Sequence, residues 1–229
     1  MKTSVVSVLA VLGAALILTL DLAARGADAP AAAPEADRWE KDIAAFEAED
    51  QAAPPAPGGV LFTGSSTTRM WDLKADFPDL PAVNRGFGGS AYADLDRHIG
   101  RIIAAHRPRT VVAYSGDNDI ASGGAPEKVF QDFASFAAKL HALRSDARLL
   151  VISTKPSTAR WDKWPAIQDL NARVAKWCEE TPWAEYVDTV PVSLGPDGLP
   201  RKDLLMKDGL HLNREGYRLW AETLKKHTP

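Results

Sequence analysis

The sequence predicts an α/β fold, a three-layer α/β/α sandwich around a mainly parallel sheet of five strands. Two observations carry that prediction. Short apolar runs alternate with helical segments of ten or more residues, the pattern of right-handed βαβ crossovers. Polar, glycine-containing clusters then follow the apolar runs, at the carboxyl ends where an open parallel sheet gathers its functional groups. With 229 residues, 45% of them apolar and 25% charged, the chain suits one domain with a substantial core.

The elements follow in order. Residues 37–52 read as an amphipathic helix, with Trp39, Ile43, Ala44 and Phe46 on or near one face. Pro54 and Pro55 stop it, and Pro57-Gly58-Gly59 leads into a first strand at 60–62. A second short strand lies at 82–84 and a helix at 92–106. A third strand at 110–114 precedes a helix at 126–144 that turns Val129, Phe130, Phe133, Phe136, Ala137 and Leu140 inward. A fourth strand at 148–152, a helix at 165–179 and a last strand at 185–188 come next. A helix at 213–226, with Tyr217, Leu219, Trp220 and Leu224 as its apolar residues, closes the pattern.

Ahead of these elements, Lys2 precedes an apolar run over 5–20 and then small residues to Ala29, the layout of a secretory signal. The run is slightly long for a signal and slightly short for a spanning helix. Residues 1–29 are therefore expected to be a signal peptide or, alternatively, an N-terminal membrane anchor. Either places the rest in the periplasm or outside the cell, with the membrane a partner only if the segment is uncleaved. Residues 30–57 are expected to form a leader, the amphipathic helix and a Pro-rich linker. A net charge of −3, with no stripe of Lys/Arg and interleaved aromatics, gives no electrostatic reason to expect nucleic acid. Cys178 is the only cysteine, so there is no internal disulfide and no thiolate metal cluster; beside Trp177 it reads as a buried small hydrophobe.

Four segments carry chemistry. Gly64-Ser65-Ser66 follows the first strand and precedes residues able to start a helix, so a serine there sits near free backbone N–H groups. Asn84-Arg85-Gly86-Phe87-Gly88-Gly89-Ser90 is a glycine-rich loop without the lysine of a phosphate cradle or the spacing of a dinucleotide fingerprint. Tyr114-Ser115-Gly116-Asp117-Asn118-Asp119 ends the third strand in polar residues. Its asparagine reads either as an amide donor to a developing negative charge or as part of a turn and helix cap. The paired aspartates find no nearby histidine or third carboxylate for a metal. Asp208-Gly209-Leu210-His211 sets a carboxylate and an imidazole on one turn, and serine is a poor nucleophile until such a base takes its proton. The other histidines, His98, His106, His141 and His227, are expected at surface or partly buried positions. Trp161 and Trp164, in and after the loop that follows the fourth strand, suit stacking on a sugar, covering an acyl pocket, or packing between loop and helix.

Taken together, in this order, the four segments resemble the blocks of the GDSL esterase/lipase family, also called SGNH hydrolases, over roughly residues 58–227. The resemblance implies a flavodoxin-like catalytic domain at 58–229 with Ser66 as nucleophile, His211 as base and Asp208 as its partner. It also implies an oxyanion hole made of the Ser66 and Gly89 N–H groups and the Asn118 amide, with no metal and no cofactor. Ser65 stands where the family has aspartate, which leaves Ser65 as a second candidate nucleophile. The first block and the 84–89 loop look closest to the branch related to platelet-activating-factor acetylhydrolases, which remove short acyl groups. The implied partner is a small-molecule or glycan ester. Lysophospholipase or thioesterase activity, or a non-catalytic exported binding protein on the same fold, are the alternatives.

Overall fold

A computed structural model of the chain describes residues 37–228. Five strands, β1 (Val60–Gly64), β2 (Ala82–Gly86), β3 (Thr110–Tyr114), β4 (Arg148–Ile152) and β5 (Ala184–Val187), form one parallel sheet in the order β2-β1-β3-β4-β5. The helices are α1 (Glu40–Ala52), α2 (Ser66–Arg69), α3 (Leu73–Asp76), α4 (Tyr92–Ile103), α5 (Asp117–Ala121), α6 (Pro126–Leu143), α7 (Trp164–Glu179), α8 (Val190–Ser193) and α9 (Arg214–Leu224). Tight 3-10 turns occupy Trp161–Lys163 and Lys202–Leu204.

The period-two alternation of strand side chains divides the core between the two faces of the sheet. Leu61, Val111, Ala113, Leu149 and Val151 join Ile99, Phe133, Phe136, Ile167 and Leu170 from α4, α6 and α7. Val60, Phe62, Val112, Tyr114, Leu150 and Ile152 meet Trp71, Leu73, Phe77, Tyr217, Trp220 and Leu224 on the other side. Three layers result, as expected. Local chemistry sets the helix starts: Pro126 opens α6, where its missing N–H is not needed, and the Asn213 side chain caps α9 by accepting from Gly216 N at 3.0 Å.

The strand order reverses at β1, so a crevice opens between the carboxyl ends of β1 and β3. Register sharpens this: Gly64 pairs with Gly86 on one side and Tyr114 on the other. The loops that leave β1, β2 and β3 therefore start at one level. Gly64 has φ of +140°, and a Cβ there would lie 1.9 Å from Tyr114 O, so only glycine lets the chain leave the strand at this point.

The helix expected between the leader and the Pro-rich linker belongs to the compact unit, which runs from Asp37. Trp39 and Ile43 of this segment are buried in the α4–α6–α7 side of the core, and Phe46 packs partly against it, whereas Ala44 is exposed. The rest of the contact is charge. Arg85 reaches Glu49 at 2.9 Å and Asp50 at 2.5 Å, and Arg101 reaches Glu40 at 2.7 Å and Glu47 at 2.6 Å. His98 and His106, expected nearer the surface, are buried beneath this helix, each 3.0 Å from a carboxylate, Asp37 and Asp50 respectively. His106 also lies beyond the end of α4 and not within it. Cys178 is buried, and desolvation pushes its thiol up to about 12. The signal or anchor read at 1–29 and the Ala/Pro-rich stretch that follows lie outside the described residues. Among those described, no helix is long and apolar enough to cross a membrane.

Candidate active site

Ser66 is the first residue of α2, a helix of one turn that could not stand alone. Its neighbours fix it. Asn84 Nδ2 donates to Thr68 O at 2.7 Å and Trp71 O at 3.1 Å, and Tyr217 Oη donates to Thr67 O at 2.9 Å. Thr68 Oγ1 donates back to Thr63 O at 3.3 Å. Asn84 thus belongs to the scaffold, an anchor between β2 and the turn that carries Ser66.

The imidazole that meets Ser66 comes from the other end of the chain. Asp208 Oδ1 accepts from the Leu210 and His211 N–H groups at 2.9 and 3.0 Å, closing a turn. Gly209 at its tip has φ of +66°, and a Cβ would sit 2.3 Å from Thr158 Oγ1. Met206 N donates to His211 O at 2.7 Å, and a bridge between Leu205 and Leu212 holds the base of this loop. Behind it, Arg214 grips buried Asp76 with both arms, at 2.7 and 2.6 Å, which ties the start of α9 to α3.

The result is a continuous chain of contacts across 145 positions of sequence: Asp208 Oδ2 to His211 Nδ1 at 2.7 Å, and His211 Nε2 to Ser66 Oγ at 2.9 Å. The imidazole and the N–H groups of its turn hold the Asp208 carboxyl down at about 2. Asp208 therefore keeps its charge at any ordinary working pH, and it favours the tautomer with Nδ1 protonated and Nε2 free to accept. Ser65 is different. Its hydroxyl is buried and lacks a hydrogen-bond partner among the described residues.

The donors named for the oxyanion come from the loops after β2 and β3. Among the described residues no protein group accepts from the Ser66 or Gly89 N–H. Arg38, stacked 4.0 Å over the Trp39 ring, donates to Gly89 O at 3.3 Å, so the segment ahead of α1 touches this loop. Asn118 donates through Nδ2 to Ser90 O at 3.1 Å and accepts at Oδ1 from Arg160 Nη2 at 3.0 Å. The two flanking aspartates are occupied otherwise. Asp119 accepts from Tyr92 N at 2.9 Å and Gly116 N at 3.2 Å, and burial pushes its carboxyl up to about 6. Asp117 faces Arg160 at 3.1 Å and Lys155 at 3.6 Å, the lysine being wholly buried and its ammonium lowered by desolvation.

Sequence reasoning passed over Arg160, Lys155 and Arg38. The first two sit in the loop after β4 that drew notice for its tryptophans, and a Lys-Pro step leaving a buried strand was the available signal. Trp161 and Trp164 stack on each other, with centroids 5.8 Å apart and planes at 14°, and Trp164 is buried. Of the three roles considered for the pair, packing between loop and helix has the geometry.

The model of the GDSL-like lipase/acylhydrolase family matches residues 58–219. No curated protein matches the chain in sequence. Among solved structures, one chain from Streptococcus pneumonia, provisionally described as a platelet activating factor, superposes with a TM-score of 0.74 at 19% identity over 82% of this chain and 91% of its own. A GDSL-like lipase from Bacteroides thetaiotaomicron gives 0.70 at 23% identity over 81% and 96%. An acetyl-xylooligosaccharide esterase from Geobacillus Stearmophilus gives 0.58 at 18% identity over 76% and 95%. These likenesses concern the fold. The family match spans most of the chain and contains the loops after β1, β2 and β3 together with the Asp208–His211 turn; the protein is a carboxylic ester hydrolase of the GDSL-like lipase/acylhydrolase family.

Proposed function

We propose that the protein is a serine esterase that removes short, acetyl-like acyl groups from small-molecule or glycan esters, with Ser66, His211 and Asp208 as its catalytic residues. One observation carries this reading: the 2.7 Å and 2.9 Å contacts that string Asp208, His211 and Ser66 together. In the proposed reaction Ser66 Oγ attacks the ester carbonyl while His211 Nε2 takes its proton, and Asp208 balances the imidazolium. The tetrahedral oxyanion lies among the Ser66 N–H, the Gly89 N–H and the Asn118 amide. Collapse breaks the bond to the alkoxide, which leaves with the proton from His211. Water then gives a proton to His211 and attacks the acyl-Ser66 carbonyl, and collapse of this second intermediate frees the acid as His211 returns the proton to Ser66 Oγ. Side chains and backbone of the chain supply the base, the acid and the oxyanion donors of this scheme. The preference for an acetyl group is supported by the acetyl esterases that share the fold. The export pattern of residues 1–29 supports a periplasmic or secreted setting.

Ser66→Ala is expected to abolish hydrolysis of p-nitrophenyl acetate and labelling by a fluorophosphonate probe, with the melting temperature unchanged. Ser65→Ala should keep both, because the hydrogen bond to His211 Nε2 comes from Ser66 and the Ser65 hydroxyl makes none among the described residues. Unchanged turnover in the Ser66 variant would sink the assignment.

A further inference from the structure

Asn118 can serve an oxyanion only if its amide points the right way round. A primary amide is nearly symmetric in shape, and a half-turn about its last bond exchanges donor for acceptor. Turned over, it would aim Oδ1 at the developing negative charge and repel it. One end of the amide is set by Ser90 O, which accepts from Nδ2 at 3.1 Å and leaves the second Nδ2 hydrogen free. The other end is set by Arg160, whose Nη2 donates to Oδ1 at 3.0 Å. In the reversed orientation a carbonyl would face Ser90 O and an NH2 group would face a guanidinium, so both contacts would turn repulsive.

Resting on the esterase reading above, we infer that Arg160 is a positioning residue for the reaction: it locks the Asn118 amide in its donating orientation and sharpens it as a donor. Arginine suits that task because its planar fork stays charged and addresses two groups at once. One arm lies on Asn118, and the other lies 3.1 Å from Asp117 Oδ2, a carboxylate whose side chain is only 5% exposed. A cation on Oδ1 also draws density from the amide, which strengthens the Nδ2 hydrogen bond to an anion. The segment holding Arg160 is itself fastened to the base-bearing turn. Thr158 Oγ1 and Ala159 N both donate to Gly209 O, at 3.1 and 3.0 Å. Three consecutive residues thus link the Asp208–His211 turn to the oxyanion amide.

A double-mutant cycle on p-nitrophenyl acetate tests this, with melting temperatures and fluorophosphonate labelling measured alongside. Losing an oxyanion donor typically lowers kcat by about 10²–10³, which sets the expectation for Asn118→Ala. Arg160→Ala should lower kcat about 10- to 100-fold, the usual worth of a hydrogen bond from a charged donor, with KM within about threefold. In the Asn118→Ala background the same change should cost less than about threefold, since Arg160 acts through an amide no longer there. Arg160→Lys keeps a cation for Asp117 but cannot fork, and it should repeat the pattern should the alanine variant not fold. An equal fold-loss with and without Asn118, or no loss in the presence of Asn118, overturns the inference while the esterase reading stands. A wild type that neither hydrolyses the ester nor labels at Ser66 overturns the esterase reading, and the inference falls with it.

Discussion

A carboxyl in a nearly dry place destabilises a fold unless backbone amides claim it, and Asp119 is in that situation. Its two oxygens accept from Tyr92 N and Gly116 N, joining the start of α4 to the loop that presents Asn118. Burial nevertheless outweighs these bonds and raises the group from 3.8 to about 6. The sign follows from linkage. Between those two values the native state holds the proton and the unfolded state does not, so stability is gained as pH falls through about 6 and complete near 4. That rise corresponds to about 3 kcal/mol. Asp119→Asn removes the titration but also one acceptor for two N–H groups, so its effect at a single pH is a mixture. The diagnostic quantity is the slope. Urea denaturation should show wild type gaining on the variant by about 3 kcal/mol between pH 7 and pH 4. A difference that stays flat, or moves toward the variant, would mean that Asp119 titrates normally.

At the level of elements, α1 raises the question of what fastens a helix so rich in acidic residues. Its carboxylate-to-arginine contacts suggest charge, yet exposure separates them. Arg101, with its side chain 37% exposed, meets Glu40 and Glu47 at 55% and 39%, where water and salt screen most of the attraction. Arg85 and Asp50 are 8% and 10% exposed, and removing one leaves the other buried without its partner. Trp39 is buried with its ring edge-on to Phe87 at 5.6 Å, beside the Gly89 loop. By these magnitudes Trp39→Ala should cost about 3–5 kcal/mol and Arg85→Ala a similar amount, while Arg101→Ala should cost under about 1 kcal/mol. Urea midpoints with unchanged slope would read these values directly. A large loss at Arg101 with little at Trp39 would invert the account and make the helix an electrostatic attachment.

Over the whole molecule, what was legible in sequence divides by range. Five strands and the long helices could be placed because their apolar periodicity persists over a full element. The turn-length helices α3, α5 and α8 could not, since one turn is too short to show a period. The Ser66 and Asn118 positions were legible as polar punctuation at strand ends, and Asp208 and His211 as a turn ahead of the last helix, whereas the contacts of Arg38, Lys155 and Arg160 depend on how loops fold back and leave no local trace. That folding back also bears on substrate size. Lys155 is buried, Thr158 and Ala159 are bonded to Gly209, and Trp161 lies on Trp164, so the segment after β4 is spent on the domain itself. Meanwhile the His211 side chain is 21% exposed and that of Asp208 46%, so the proposed site is open to water. A long acyl tail on such a surface stays largely hydrated and gains little from length. In a groove that buried it, each methylene would contribute about 0.8 kcal/mol, or roughly a fourfold rise in kcat/KM. For p-nitrophenyl esters from acetyl to octanoyl, kcat/KM is expected to stay level or fall with chain length, with no jump where the longer esters form micelles. A steady fourfold climb per methylene would instead demand an apolar channel at Ser66, and would overturn the proposed preference for acetylated compounds in favour of lipids.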